Sequence, residues 1–317
     1  MSLPAGQQPE RQVDRYPSRI DDTPSISPRE DPVVWPAAGE SARRGPLSAG
    51  HLEKYERNGF LTFDDFFATQ ELRAYQDELA RLNGTYHDNG NVRTMDEIVT
   101  EPGSGEVRSI FDIHRLSAVI GRLCRDERIV SVARQLLGGD VYFHQTRINY
   151  KPGFRGTGFY WHSDFETWHV EDGMPDMRAV SCSISLSPNT EYNGPLMVIP
   201  GSHRVFLRCV GETPEDNYRH SLQKQETGVP DDASLARMFE DGGIASPTGS
   251  TGLVTFFDCN LMHGSNSNIT PLPRSNVFIV FNSVGNTLVE PFCGLKPRPQ
   301  HIANRTDFSP VVAIKSH

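Results

Sequence analysis

The spacing of apolar residues changes along the chain and divides it. Residues 1–47 are rich in Pro, Ser, Arg and Asp and show no periodic apolar pattern. Such a stretch cannot bury enough surface to offset the entropy of ordering it. It reads as a flexible N-terminal arm with one apolar docking point, Pro32–Trp35; residues 48–317 read as one domain. Leu52 and Tyr55 ahead of Gly59 fit a short helix, and Gly59–Phe63 fits a first strand. Leu72, Tyr75, Leu79 and Leu82 then recur at helical spacing between Thr69, a candidate N-cap, and Gly84, suited to the C′ position. Residues 84–108 are polar and glycine-rich, as in a loop. Asp126 is placed to cap a helix carrying Ile129, Ala133, Leu136 and Leu137, which Gly138 and Gly139 stop.

From Val141 the period becomes two. In Val141–Lys151, alternation puts Val141, Phe143, Gln145, Arg147, Asn149 and Lys151 on one face and Tyr142, His144, Thr146, Ile148 and Tyr150 on the other. Neither face is apolar throughout. Two readings fit: a barrel strand sending Gln145, Arg147, Asn149 and Lys151 into a polar cavity, where partners must satisfy them, or a solvated edge strand. Val180, Cys182, Ile184 and Leu186 alternate with Ser181, Ser183, Ser185 and Ser187, which suits a barrel wall with a small-residue interior. Asn193–His203 reads as turn, strand, turn. Arg204–Ser250 is a long polar excursion, helical around Ser234–Phe239, and loops of that length are commonly functional or disordered. Leu253–Phe257 and Asn276–Val284 complete the strands. Short strands with turn signals, and helices gathered at the front, give a mainly β fold with flanking helices and a jelly-roll core.

The candidate chemistry lies between these strands. His162 and Asp164 stand two residues apart, and on an extended chain both side chains leave the same face. His263, just past the apolar run Leu253–Phe257, supplies a third ligand. Two imidazoles and a carboxylate on one face of an octahedral ion leave the opposite positions open, the arrangement of non-haem Fe(II) oxygenases. His-x-Asp alone is a weak signal that arises by chance. Arg274, at the head of the strand bearing Asn276 and Phe278, can hold a carboxylate bidentately while the same molecule chelates the metal. That describes 2-oxoglutarate, with Ser265 and Asn149 available for hydrogen bonds and Lys151 as a second cation. The glycine-rich Pro152–Gly158 lacks the Walker pattern and opens no helix, so it is not a phosphate cradle.

Charge and cysteines narrow the setting. A formal net charge of −9 argues against a nucleic-acid partner, which needs clustered Lys and Arg. Cys124, Cys182, Cys209, Cys259 and Cys293 are odd in number and widely spaced, as reduced thiols of a cytoplasmic protein are. No apolar run has the length of a membrane span, and no signal-peptide core opens the chain.

The order of His-x-Asp, Gly194–His203, the distal His263 and the following Arg274 resembles the phytanoyl-CoA hydroxylase-like group of Fe(II)/2-oxoglutarate dioxygenases. More narrowly, Phe159–Ser181 resembles the signature of the ectoine hydroxylases, and the likeness extends over roughly Ser48–Arg305. The resemblance implies a double-stranded β-helix enzyme that converts L-ectoine and O2 to 5-hydroxyectoine with 2-oxoglutarate as cosubstrate, and a homodimer. It places the iron ligands at His162, Asp164 and His263. The 2-oxoglutarate contacts fall on Lys151 and Arg274, supported by Asn149 and Ser265, and the ectoine contacts on Gln145, Trp168, Phe278 and Arg298. Ectoine is a small zwitterion with a delocalised cyclic cation, so the aromatic faces of Trp168 and Phe278 suit its charge. Arg298, in the Pro-rich tail, is placed to close over the site as a lid and exclude water.

Two alternatives stand beside this reading. A related dioxygenase acting on another small solute shares His162, Asp164, His263 and Arg274, and turnover on a panel of solutes separates the two. A cupin-like module binding metal or solute without turnover needs no Arg274 anchor and releases no succinate. A structural zinc site fits less well, because such sites favour four Cys or His ligands in close pairs.

Overall fold

In the computed structural model, which describes residues 13–38, 45–88, 91–92 and 95–315, the period-two stretches become antiparallel strands of a double-stranded β-helix. The larger sheet runs in the order β2 (Phe60–Phe63), β12 (Val254–Asp258), β9 (Ala179–Ser185), β14 (Arg274–Ser283), β7 (Val141–Lys151), β6 (Val107–Phe111) and β5 (Ile98–Thr100). The smaller sheet joins β10 (Leu196–Val198), β13 (His263–Ser265) and β8 (Phe159–His162). Two short pairs accompany them: β3 (His87–Asp88) with β4 (Asn91–Val92), and β1 (Ser25–Pro28) with β11 (Val205–Arg208).

Helices cover the outer face of the larger sheet because that face is apolar. Cys182 and Ile184 of β9, Ile279 and Phe281 of β14 and Phe256 of β12 share one buried cluster with Leu79 and Leu82 of α2 (Thr69–Tyr86) and with Ile129, Ala133 and Leu136 of α5 (Glu127–Leu137). Burying each large aliphatic there contributes about 1.5–3 kcal/mol. The other face of β9 carries the serines, and Ser183 opens into the barrel.

The ambiguous pattern of β7 is resolved by a bulge. Opposite β14 the register passes from Val280↔Gln145 to Phe281↔Phe143, so His144 is an extra residue. Alternation reverses across it. Val141, Phe143 and Ile148 all reach the helix-side cluster, while Arg147, Asn149 and Lys151 line the barrel cavity. The strand is therefore the cavity-lining one, central in its sheet.

Several boundaries differ from expectation. Ser48 does cap α1 (Ala49–Asn58), and Gly59 ends it at φ 80. α2 starts at Thr69 itself, where the Glu71 carboxylate reaches back to the Ala68 N–H, and it runs through Gly84 to Tyr86. The expected 84–108 loop contains β5 and ends inside β6, whose Val107 is buried; hydrophobic alternation there is too short to stand out from the polar surroundings. Two short helices follow, α3 (Ile113–Leu116) and α4 (Ala118–Cys124). The excursion begins with β11 and holds α7 (Tyr218–Ser221) and α8 (Asp232–Gly242).

The flexible arm is the largest correction. Among residues 13–38, β1 pairs with β11, Tyr16 is buried against Phe165 and Phe206, and the Arg19 side chain is wholly buried. This segment is ordered by buried charge and a few aromatics rather than by an apolar period, which is why periodicity failed to find it. Residues 1–12 and 39–44 of the expected arm lie outside the described residues.

Candidate active site

Local stop signals bring the three expected ligands together. β8 ends at His162, Ser163 caps the next helix at φ −104 and ψ 128, and Asp164 opens α6 (Asp164–Asp172). The two residues thus do not share one extended face, as the sequence suggested. A strand-to-helix turn carries the carboxylate to the imidazole, with Nε2 of His162 3.6 Å from Oδ1 of Asp164. Helix wins over strand because Asp164–Asp172 is buried on every side and Gly173, at φ 74, closes it. Asp164 also gains from the helix N-terminus, where the dipole favours negative charge. β13 lies antiparallel to β8 and pairs His263 directly with His162. Nε2 of His263 is 3.8 Å from Oδ2 of Asp164.

The surrounding hydrogen bonds suit metal binding. Nδ1 of His162 faces the Tyr160 carbonyl at 2.8 Å, and Nδ1 of His263 faces the Leu261 carbonyl at 2.9 Å. A carbonyl only accepts, so each Nδ1 carries the proton and each Nε2 presents a lone pair to the site. Oδ2 of Asp164 is buried without a hydrogen-bond partner among the described residues. The three ligand atoms lie within 4.8 Å of one another, the one such group among the described residues. Cis donors about 2.1 Å from an octahedral ion stand about 3 Å apart, so small side-chain movements close this set on a divalent cation. Burial, then the neighbouring His162, pushes His263 down to about 4. Burial works against charge on Asp164, yet His263, His162 and Arg147 hold its carboxyl well below the usual range. Neutral imidazole and ionised carboxylate are the ligating forms.

Above the triad, the cavity is walled by Arg147, Asn149 and Lys151 of β7 and by Arg274, Asn276 and Phe278 of β14. β14 and β7 pair Arg274 with Lys151. Lys151 Nζ donates to Ser265 Oγ at 2.9 Å and to the Asn266 carbonyl at 2.7 Å, while Asn149 accepts from Ser109 at 2.8 Å. Nε of Arg274 and Nε of Arg147 are buried without acceptors among the described residues. Burial, then Arg274 and Arg108, pushes Lys151 down to about 6; burial, then Arg108, pushes Arg274 down to about 10. Four basic side chains crowd one cavity of a protein whose net charge is −9. Arg108 is paired with Glu101 at 2.9 Å; the unused donors of Arg274 and Arg147 await an anion.

The remaining expected residues divide. Phe278 lines the cavity with its ring 4.9 Å from the Arg147 guanidinium carbon. Gln145, Trp168 and Arg298 do not line it. Gln145 donates to the Ile302 carbonyl, and Trp168 packs among Phe165, Met174 and Met177 with its ring 5.1 Å from His144. Arg298, expected as a lid, is already buried and forks onto Asp172 at 2.7 and 2.5 Å. Arg108 and Phe111 line the cavity without having been singled out, and Arg147 lines it having been given a place in the cavity but no ligand. Arg147 stands in the polar row of β7, where a signal existed; Arg108 and Phe111 follow a stretch with no pattern.

Comparison with known proteins accords with this geometry. The family model described as phytanoyl-CoA dioxygenase (PhyH) matches residues 55–276. An ectoine dioxygenase of Bordetella parapertussis is 55% identical over 303 residues, 96% of each chain. One of Streptomyces coelicolor is 53% identical over 299 residues, 94% of this chain and 97% of the relative. The crystal structure of EctD from S. alaskensis with 2-oxoglutarate and 5-hydroxyectoine superimposes with a TM-score of 0.84 at 48% identity, covering 96% of this chain and 99% of that one. EctD from S. alaskensis with bound Fe gives 0.82 at 46% identity, with the same coverage. On a family match spanning most of the chain and relatives above 50% identity over nearly all of it, this chain belongs to the phytanoyl-CoA dioxygenase family, among the ectoine dioxygenases.

Proposed function

We propose that the protein is an Fe(II)- and 2-oxoglutarate-dependent dioxygenase that hydroxylates L-ectoine to 5-hydroxyectoine. The observation that carries this reading is the convergence of His162, Asp164 and His263 beneath a cavity in which Nε of Arg147 and Nε of Arg274 are buried without acceptors among the described residues. When bound, ferrous iron supplies the oxidative chemistry, coupling decarboxylation of 2-oxoglutarate to succinate and CO2 with transfer of oxygen from O2 to a substrate C–H bond.

The chain's residues hold and orient. His162, Asp164 and His263 hold the ion from one side. Arg274 receives the far carboxylate of 2-oxoglutarate through its planar fork. Lys151 adds charge from the paired strand, kept in place by Ser265. Asn149, fixed by Ser109, offers an amide to the same molecule. Arg147 stands beside Asp164 and Phe278 and is suited to the second carboxylate in the cavity, that of ectoine. Phe278 presents an aromatic face to the ring cation. The family likeness adds Gln145, Trp168 and Arg298 to the substrate contacts; none of them lines the cavity, Gln145 donating to the Ile302 carbonyl and Arg298 being held by Asp172 on the same helix as Trp168, so this part of the reading rests on the likeness. Holding substrate and cosubstrate together turns an encounter of several molecules into one bound arrangement.

A cytoplasmic homodimer belongs to the same proposal. The five cysteines are unpaired thiols, and no helix among the described residues is long and apolar enough to cross a membrane. Phe154, Ile269 and Leu272 are exposed on turns joined by the Phe154 N–H and the Thr270 carbonyl, which offers an apolar face to a second copy. Light scattering of the purified protein tests that part. Function is tested by anaerobic loading with Fe(II), then O2 and 2-oxoglutarate with and without ectoine. Succinate and 5-hydroxyectoine in equal amounts, dependent on ectoine, are expected; no succinate in either arm would remove the proposal.

A further inference from the structure

Outside the cavity, a deeply buried charge cluster joins the N-terminal segment to the helix that carries Asp164. Arg19 adopts φ 56, a conformation that L residues seldom take. Its side chain is wholly buried. Nε and Nη2 fork onto Glu166 at 2.9 and 2.6 Å, Nη1 reaches Glu171 at 2.6 Å, and Nη2 also reaches Thr167 at 3.2 Å. Ser18 donates to Glu166 at 2.6 Å and accepts the Cys209 N–H at 2.9 Å. The excursion meets the same group: Asn217 donates to Glu171 at 2.7 Å and Thr213 lies 3.3 Å from Nη1. Gly228 passes so close that a Cβ there would stand 2.2 Å from Arg19 Nη2 and 2.3 Å from Glu166 Oε2.

We propose that Arg19 is a positioning residue for the metal site, cross-bracing α6 so that Asp164 is held at the ion and Trp168 at the substrate end. Glu166 lies in the first turn of α6 with Asp164, and Glu171 lies in its last, next to Asp172, which holds Arg298. Five residues along a helix rise about 7.5 Å, so one guanidinium fixes both ends of the element. Rotation or sliding of α6 would break contacts at Glu166 and Glu171 together. A lysine carries the charge but presents a point donor, not a fork that spans two carboxylates. Arg29 braces the other ligand arm in the same manner: it pairs with Asp258 at 2.8 Å, whose carboxylate accepts the Asn260 N–H, and Asn260 in turn accepts from Ser163. The N-terminal segment thus ties the His162–Asp164 turn to the approach of His263.

The inference rests on the proposed iron role of His162, Asp164 and His263, and the test keeps the two apart. Full-length wild type, Arg19→Lys and the charge-balanced Arg19→Met/Glu166→Gln are compared by anaerobic titration with Co(II) followed by absorption, by circular dichroism melting, and by the ratio of succinate to 5-hydroxyectoine. Both variants are expected to fold at 20 °C, to bind Co(II) about tenfold more weakly, and to release more succinate than product, with the 2-oxoglutarate KM changed less than threefold. Wild-type metal affinity and a one-to-one product ratio in both folded variants, even with a lowered Tm, would overturn the positioning role and leave Arg19 a stabilising residue. Failure of Co(II) to bind wild type would instead remove the metal-site reading itself. Should the double variant not fold, Arg19→Lys decides by the same two readouts.

Discussion

Replacing Arg274 with methionine separates an anion anchor from a structural arginine. Among the described residues, Arg274 has a buried Nε without an acceptor, and its one side-chain hydrogen bond is a long 3.5 Å contact with Asn276. Removing one partner of a desolvated charge pair costs about 2–5 kcal/mol. Lys151 remains beside the vacated space, so the lower half of that range applies; about 2.7 kcal/mol corresponds to roughly 100-fold weaker 2-oxoglutarate binding. The folded protein without 2-oxoglutarate should lose little, because burial and the neighbouring Arg108 both work against the Arg274 charge and push its pKa down. Steady-state KM at saturating ectoine and calorimetry with and without 2-oxoglutarate measure the two effects. At a cosubstrate concentration 100 times the wild-type Kd, ligand stabilisation is about 2.7 kcal/mol for wild type and about 0.4 kcal/mol for the variant. A KM within threefold of wild type, or a Tm several degrees lower without 2-oxoglutarate, would refute the reasoning.

Two further outcomes follow from the titratable groups. Lys151 stands near 6 in the unliganded fold against about 10.4 unfolded. The unfolded chain therefore binds the extra proton between those values, and Lys151 makes stability rise with pH from about 6 to 10. A bound dianion raises the Lys151 value, so 2-oxoglutarate binding near pH 7.5 should take up close to one proton; calorimetry in buffers of different ionisation enthalpy checks this. Absence of uptake, or its survival in Lys151→Met, contradicts it. Burial pushes His203 down to about 4, and its Nε2 donates to the Glu56 carbonyl at 3.1 Å. Its folded value lies below the unfolded one, near 6.5, so its contribution is present at neutral pH and is lost as pH falls from about 6.5 to 4. His203→Gln should flatten the fall of Tm over that window, and an unaltered slope would count against it.

How much of this was readable in the sequence depended on the physics holding each part. Helices α1, α2 and α5 and serine-lined β9 were legible because one period ran through each element without interruption. β7 was not, because the His144 bulge reverses the faces halfway, and a strict period of two mixes core with cavity. The triad's residues were found while its local geometry was misread: i and i+2 on a strand and a strand-to-helix turn both bring His162 and Asp164 together, and only the burial of the whole of α6 decides between them. The ordered N-terminal segment was invisible because Arg19, Arg29 and Asp31 look like surface residues until their partners arrive from more than a hundred positions away. Trp168 and Arg298 were assigned to the substrate through family likeness, and Gln145 also through its place in the polar row of β7; none of the three lines the cavity.

The central claim is that three side chains share one ferrous ion. Anaerobic Fe(II) titration followed by X-ray absorption on wild type, His263→Ala and Asp164→Ala addresses it most directly. One iron per chain with two imidazoles in wild type, one imidazole in His263→Ala, and at least tenfold weaker binding in Asp164→Ala are predicted. Iron held equally well by all three proteins, or with no imidazole in wild type, would contradict the account.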